Sequence, residues 1–263
     1  SLLELAEHLE GRIRELGGEP AFPVNISINH IAAHYTPIPG DSSVIPNDSV
    51  VKIDIGVHVD GFIADTAATV ALSPVYEGLV EASRRALEKV AEAIHPGVKA
   101  NEIGRIIEDT VKSMGFKPVR NLSGHSIDWY TLHAGLSIPN YADLLSRWRL
   151  EPGVYAIEPF ASTGVGLVEE AREVTIYSLK KKNRIPSEVR DIYEKLYGER
   201  RTLPFAERWL YKYTRDTRAA VSQLARAGLT QSYPVLVEKS RGMVSQFEHT
   251  FLVLEKEVII TTI

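Results

Sequence analysis

The stretch Val50–Leu72, VVKIDIGVHVDGFIADTAATVAL, constrains the fold of this chain more than any other. Its alternate residues Val51, Ile53, Ile55, Val57 and Val59 are apolar, the period-2 signature of a strand with a buried face. Asp60-Gly61 follows, a dipeptide favoured in two-residue hairpin turns, where the central residues need positive φ. A return strand over Phe62–Leu72 then sets Gly56 opposite Asp65 and Asp54 opposite Ala67. Asp54 and Asp65 become diagonal neighbours on one face, about 7 Å apart at Cβ. Two carboxylates sharing that space repel unless a cation lies between them. The other residues of the face, Gly56, Ala67 and Thr69, are small enough to leave it room. The same pattern also describes a half-buried hairpin with two aspartates on its wet face. The stretch alone leaves both readings open.

Composition narrows what else the chain can hold. With no cysteine, a disulfide framework, a thiolate metal site and a Cys nucleophile are all excluded, so any metal must be held by Asp, Glu and His. The 263 residues suffice for one large domain, or one domain carrying an insertion. A net charge of −4 gives no global reason to expect DNA, and no apolar run approaches a membrane span. The chain starts at Ser1, without Met and inside a helical pattern, and is expected to be truncated or processed.

In order, Leu2, Leu5, Leu9, Ile13 and Leu16 predict one helix face, ended by Gly17-Gly18. A Pro- and Asn-rich stretch follows and contains His34. After the hairpin, helices are predicted over Tyr76–His95 and Asn101–Gly115. Next, FKPVRNLSGHSIDWYTLHAGLSIPN reads as extended and holds His125 and His133; a spacing of eight puts both on one face. Gly153–Leu179 reads as a second hairpin with Glu158 inside an apolar strand, an awkward place for an unpartnered carboxylate. Residues 180–218 are basic, with a local balance of +6 that leaves −10 for the remainder, and carry helical patterns at Val189–Leu196, Phe205–Tyr213 and Ala219–Ala227. They predict a helical insertion; a helix-turn-helix is less favoured because no recognition-helix pattern stands out. The closing stretch returns to strand, with Val244, Gln246, Glu248 and Thr250 on one face.

Asp54, Asp65, His125, Glu158 and Glu248 together give an oxygen-rich set with one imidazole. Such a set suits a pair of hard or borderline divalent ions better than one structural zinc. The segments KIDIGVHVDGFIADTA, NLSGHSIDWYTLHAG, YAIEPFA and SQFEHT, in that order, resemble the pita-bread-fold metallopeptidases. Within them the chain is most similar to the type 2 methionine aminopeptidases in an archaeal form. AFPVNISINHIAAHYTP and the gap between Glu158 and Glu248 support that subfamily. The resemblance runs from the first helix to the last strand.

The resemblance implies an α+β pita-bread fold: a curved antiparallel sheet with helices on its outer face, plus a small helical insertion subdomain. The catalytic domain would span 1–179 and 236–263, and the insertion 180–235. It implies two divalent ions, Co, Mn, Fe or Zn. Asp54 would bind one ion alone, Asp65 and Glu248 would bridge both, and His125 and Glu158 would complete the other. His133 would contact the scissile amide, His34 would help hold substrate, and Glu158 would also accept a proton from the attacking water. Phe22, Leu132, Phe160 and Tyr233 match positions lining a methionine side-chain pocket. The implied activity is removal of the N-terminal methionine from nascent chains with a small second residue, by a cytoplasmic monomer that could touch the ribosome through its basic insertion. Asn140–Pro152 fits the family pattern poorly, and the family usually has another helix before Ser1. The rivals are an Xaa-Pro aminopeptidase or dipeptidase of the same fold, and a non-catalytic pita-bread module that binds ribosome or RNA.

Overall fold

A computed structural model describes residues 1–263 and forms the hairpin in the expected register. Strands Val50–Val59 and Phe62–Ala71 pair with Gly56 opposite Asp65 and Asp54 opposite Ala67. Asp60 (φ 50°) and Gly61 (φ 89°) both occupy the left-handed region that this turn demands. The face carrying the aspartates is not wet. Lys52, Gly56, His58, Asp65, Ala67 and Thr69 on it are all buried. The apolar face is covered as well, because helix α1 (Leu2–Glu15) sets Leu2, Ala6 and Ile13 against Val24, Ile26 and Val51, with Ile53, Ile55 and Val57 at the margin. Strand Val50–Val59 is thus packed on both sides except at its end, where Val59 is 56% exposed.

Helix α1 corrects one expectation. It ends at Glu15, and Leu16 is 72% exposed, whereas Glu10 is only 3% exposed. A buried carboxylate needs partners. Glu10 finds them in the Arg208 guanidinium, the Trp209 indole N–H (2.7 Å) and the Val24 backbone N–H (3.2 Å).

Helices α2 (Glu77–Ala93) and α3 (Ala100–Ser113) form an outer layer. Leu79, Ala86, Val90, Ile103, Ile107 and Val111 pack on Tyr155, Ile157, Phe251 and Val253 of the sheet. That sheet is antiparallel throughout, ordered Val258–Ile260, His249–Val253, Gly153–Ile157, Ser123–Ile127, Ser137–Pro139.

Two strand expectations are overturned. Gly153–Leu179 is not a hairpin: Gly153–Ile157, Phe160–Ser162 and Val168–Leu179 join three different sheets. Pro159 causes the first break, since it lacks the N–H that a continuing ladder needs. Glu158 therefore lies just beyond the end of a strand. Nor are His125 and His133 on one extended strand. The chain leaves strand Ser123–Ile127, turns at 128–131 with Tyr130 at φ 49°, and comes back as Ser137–Pro139 paired to Ser123–His125.

Residues 187–226 form helix α4 (Ser187–Arg200), a 3-10 turn Glu207–Lys212 and helix α5 (Thr217–Arg226). Val189, Tyr193, Leu196, Phe205, Leu210, Val221 and Leu224 pack together there with Leu179. The expected 180–235 boundary differs from the strand pattern, because Thr230–Glu238 already pairs with Val168–Leu179. Phe205–Ala206 also leaves its helical expectation and pairs with Ile176 and Tyr177 on the other edge of that strand. The helical layer is stitched to the body by Arg208 and by Arg200. Arg200 donates to the carbonyls of Pro20 (2.8 Å) and Ala21 (3.0 Å).

Candidate metal centre

Asp54 and Asp65 project from the enclosed face of the hairpin. The other two acids come from a second ribbon whose strands break at the same level. Ile157 stands opposite His249 and Phe160 opposite Gln246, so the register carries through and sets Glu158 against Glu248. Glu248 is held to the hairpin by reciprocal backbone bonds with Ala67. It also is not inside a strand, but lies between Val244–Gln246 and His249–Val253. Both late acids thus occupy kinks, where a side chain can turn out of the pleat. His125 arrives from the neighbouring strand, opposite Ala156.

Ligand atoms of Asp65, His125 and Glu248 lie within 4.8 Å of one another. His125 Nε2 is 3.7 Å from Asp65 Oδ2 and 3.8 Å from Glu158 Oε1. Its Nδ1–H is directed at the carbonyl of Ser126 (3.4 Å), which leaves Nε2 as a bare lone pair facing two carboxylates. Burial lowers the His125 pKa to about 4, so the ring brings no charge. Burial also raises Asp54 to about 7. It pushes Asp65, Glu158 and Glu248 well up, with Asp54 repelling each of them. Gln246 Nε2 donates to Glu158 and Glu248, at 3.3 Å each. Lys52, on the same face, turns its ammonium to the carbonyls of Asn29 and Val244.

Asp54 Oδ1, Asp65 Oδ1 and Glu248 Oε1 are buried without a hydrogen-bond partner. Buried acceptors left in this state cost about 1–3 kcal/mol each. Buried Asp65 and Glu248, half-buried Asp54 and Glu158, a bare imidazole nitrogen and orphaned oxygens around one cavity match the donors that divalent cations take. The residues present fit such ions.

Around this cluster lies a cavity of about 310 Å³. The structure brings into its wall Asp54, Asp65, His125, Glu158 and Glu248, and with them His34, His133, Phe22, Leu132, Phe160 and Tyr233. The His133 ring is 4.4 Å from that of His125, and burial above all lowers its pKa to about 3. His34 adopts φ 65°, packs edge-on to Tyr233 (5.8 Å) and donates Nδ1–H to the carbonyl of Pro234 (3.2 Å). Burial lowers its pKa too, so its Nε2 remains an acceptor. Phe22 covers Gly56 so closely that a Cβ there would come within 2.2 Å of the ring.

Sequence reasoning missed Asn25, Asn121, Ile176 and Pro204 as wall residues. Asn25 was detectable in principle, since its strand pairs with Val50–Val59 and places it opposite Asp54. Pro204 reaches the cavity from the helical layer, and nothing local in the sequence signals that.

A fold of this kind with a buried acid–histidine cluster defines a metal-dependent hydrolase class, and a match to metallopeptidase family M24 covers residues 1–255. The chain belongs to metallopeptidase family M24. Methionine aminopeptidase of Pyrococcus abyssi is 48% identical over 266 residues, covering 100% of this chain and 90% of that protein. That of Methanocaldococcus jannaschii is 48% identical over 265 residues, covering 99% and 89%. Among solved structures, a thermophilic Arx1 superposes with a TM-score of 0.83 at 16% identity, covering 98% of this chain and 82% of that one. Methionine aminopeptidase of Thermotoga maritima gives 0.68 at 21% identity, covering 98% and 83%. At such identities the structural likeness speaks for the fold alone, and that fold is the pita-bread arrangement.

Proposed function

We propose that this protein is a methionine aminopeptidase, a metallo-exopeptidase that removes the N-terminal methionine of nascent chains. The observation that carries the reading is near-half identity along the whole chain to proteins of that name, joined to a cavity that holds the acid–histidine cluster. Asp54, Asp65, His125, Glu158 and Glu248 would hold two divalent ions, which would supply Lewis acidity and an acidified water. Asp65 and Glu248 would serve both ions, and Asp54 one of them.

The chain's own groups do the remaining work. Glu158, in the cavity wall beside His125, takes the proton of the attacking water and returns it to the departing amine. His133 is neutral, so one ring N–H is available to the carbonyl oxygen as negative charge develops there. His34 Nε2 accepts from the substrate backbone and holds it in line. Phe22, Leu132, Phe160 and Tyr233 enclose the methionine thioether, which favours aromatic surroundings. The location is cytoplasmic, the partner the emerging N-terminus, and the two-part domain division is that of a catalytic body with a helical insertion. The exposed run Lys180–Arg184 makes ribosome contact the natural use of that insertion. Co-sedimentation with ribosomes should then weaken steeply with salt, and no binding at low salt removes the contact from the account.

The test of the activity compares release of the first residue from Met-Ala-Ser with release from Ala-Pro peptides. Preference for Met-Ala-Ser is expected; preference for Ala-Pro would move the chain to the proline-directed relatives.

A further inference from the structure

Asn25 is a buried polar residue in the cavity wall that the mechanism leaves without a task. It is 5% exposed, and its side chain shares a face with Asp54, the residue directly opposite on strand Val50–Val59. Its Nδ2 donates to the carbonyl of Pro23 at 2.9 Å. A carbonyl can only accept, so this bond fixes which end of the amide is nitrogen. Oδ1 is thereby aimed away from Pro23, and it is buried without any donor. Asp54 Oδ1, on the facing residue, is orphaned likewise. Two acceptors from directly paired residues, with Cβ atoms about 5 Å apart, want a donor or a cation in the space they share.

On the aminopeptidase reading, Asp54 is a cation ligand. An amide oxygen is a weak ligand beside four carboxylates but a good acceptor of N–H. Phe22, three residues earlier on the same segment, lies over Gly56 and belongs to the apolar wall. A side chain seated against Phe22 has its α-carbon, and hence its α-amino group, near the junction of that wall with the acid cluster. The α-amine is the N–H donor that every aminopeptidase substrate carries.

We propose that Asn25 Oδ1 accepts a hydrogen bond from the substrate's free α-amino group and so selects for an unblocked N-terminus. This rests on the aminopeptidase reading above. It makes Asn25 a specificity residue that touches substrate without serving the cations.

The test is calorimetric titration of the manganese-loaded protein with L-methioninamide and with 4-(methylthio)butanamide, which lacks the amine. Wild type should prefer the amine-bearing amide. In Asn25→Leu that margin should narrow about tenfold, as for loss of one hydrogen bond to a charged donor. Manganese affinity, measured separately, should be unchanged. Asn25→Ala gives the same comparison should the leucine variant fail to fold. An unchanged margin, equal weakening of both amides, or loss of manganese binding in the variants overturns the proposal and leaves the aminopeptidase reading standing. Failure of wild type to bind either amide overturns both.

Discussion

Glu158 and Glu248 face each other across a break shared by two paired strands, one acid at each kink. Strand pairing runs up to Ile157 and His249 and resumes at Phe160 and Gln246. Within the gap Phe247 N–H donates to Pro159 O at 3.3 Å. The break frees both side chains to meet the hairpin acids, and Gln246 bridges them from below with one amide nitrogen.

Asp65 sits between the two ribbons, buried and repelled by Asp54 and Glu158. Asp65→Asn keeps the shape and removes the charge of the proposed bridge. The variant should lose at least one ion per chain and more than about 100-fold of its activity, with an unchanged circular-dichroism spectrum. Full turnover with both ions retained would contradict the bridging role.

Protons compete with cations for the same oxygens. Asp54 in the metal-free chain titrates at about 7 and the other three acids are also raised, so below neutrality they hold protons that a cation must displace. Metal affinity should fall as pH drops from about 8 to 6, and loading near pH 6.5 should release protons to buffer. Titrations in buffers of different ionisation enthalpy read this directly; a heat independent of buffer would speak against protonated acids.

Gly56 supplies clearance rather than chemistry. In Gly56→Ala the new methyl would meet the Phe22 ring at 2.2 Å, and the ring must move into the cavity. Overpacking of this kind costs about 1–3 kcal/mol. The melting temperature should fall modestly, and kcat/KM for Met-Ala-Ser by about tenfold or more. An unaltered kcat/KM would mean that Phe22 does not bound the substrate.

The Glu10–Arg208 pair lies with both side chains 4% exposed and ties helix α1 to the helical layer. Arg208 also donates to Thr36 Oγ1 (2.8 Å) and Pro37 O (2.9 Å), just past His34. Arg208→Met strands a buried carboxylate and should cost about 3–5 kcal/mol in urea unfolding. Adding Glu10→Leu should recover a good part of that loss. Additive losses in the double variant would show that the two residues are not coupled.

The hairpin was legible in the sequence because its register follows from one turn dipeptide and its pattern from strict alternation. The five cluster residues were legible as residue types in order, and the cavity gathers all of them. What failed were inferences that assumed a strand continues. Pro159 broke one at Glu158, and the Tyr130 turn, a non-glycine residue at positive φ, broke the other between His125 and His133. The buried state of Glu10 was invisible because its partner stands 198 residues away. Burial of the acid face had the same origin: it is closed by segments far along the chain, such as Thr250, which bonds the backbone of Asp65.

A two-cation site that releases an N-terminal methionine carries the proposed function. Its most direct test titrates the metal-free protein with manganese or cobalt and follows bound ions and Met-Ala-Ser turnover in the same samples. Two ions per chain are expected at saturation, with methionine release that rises with loading. Saturation at one ion with full activity would contradict the paired site, and saturation at two without methionine release would contradict the function.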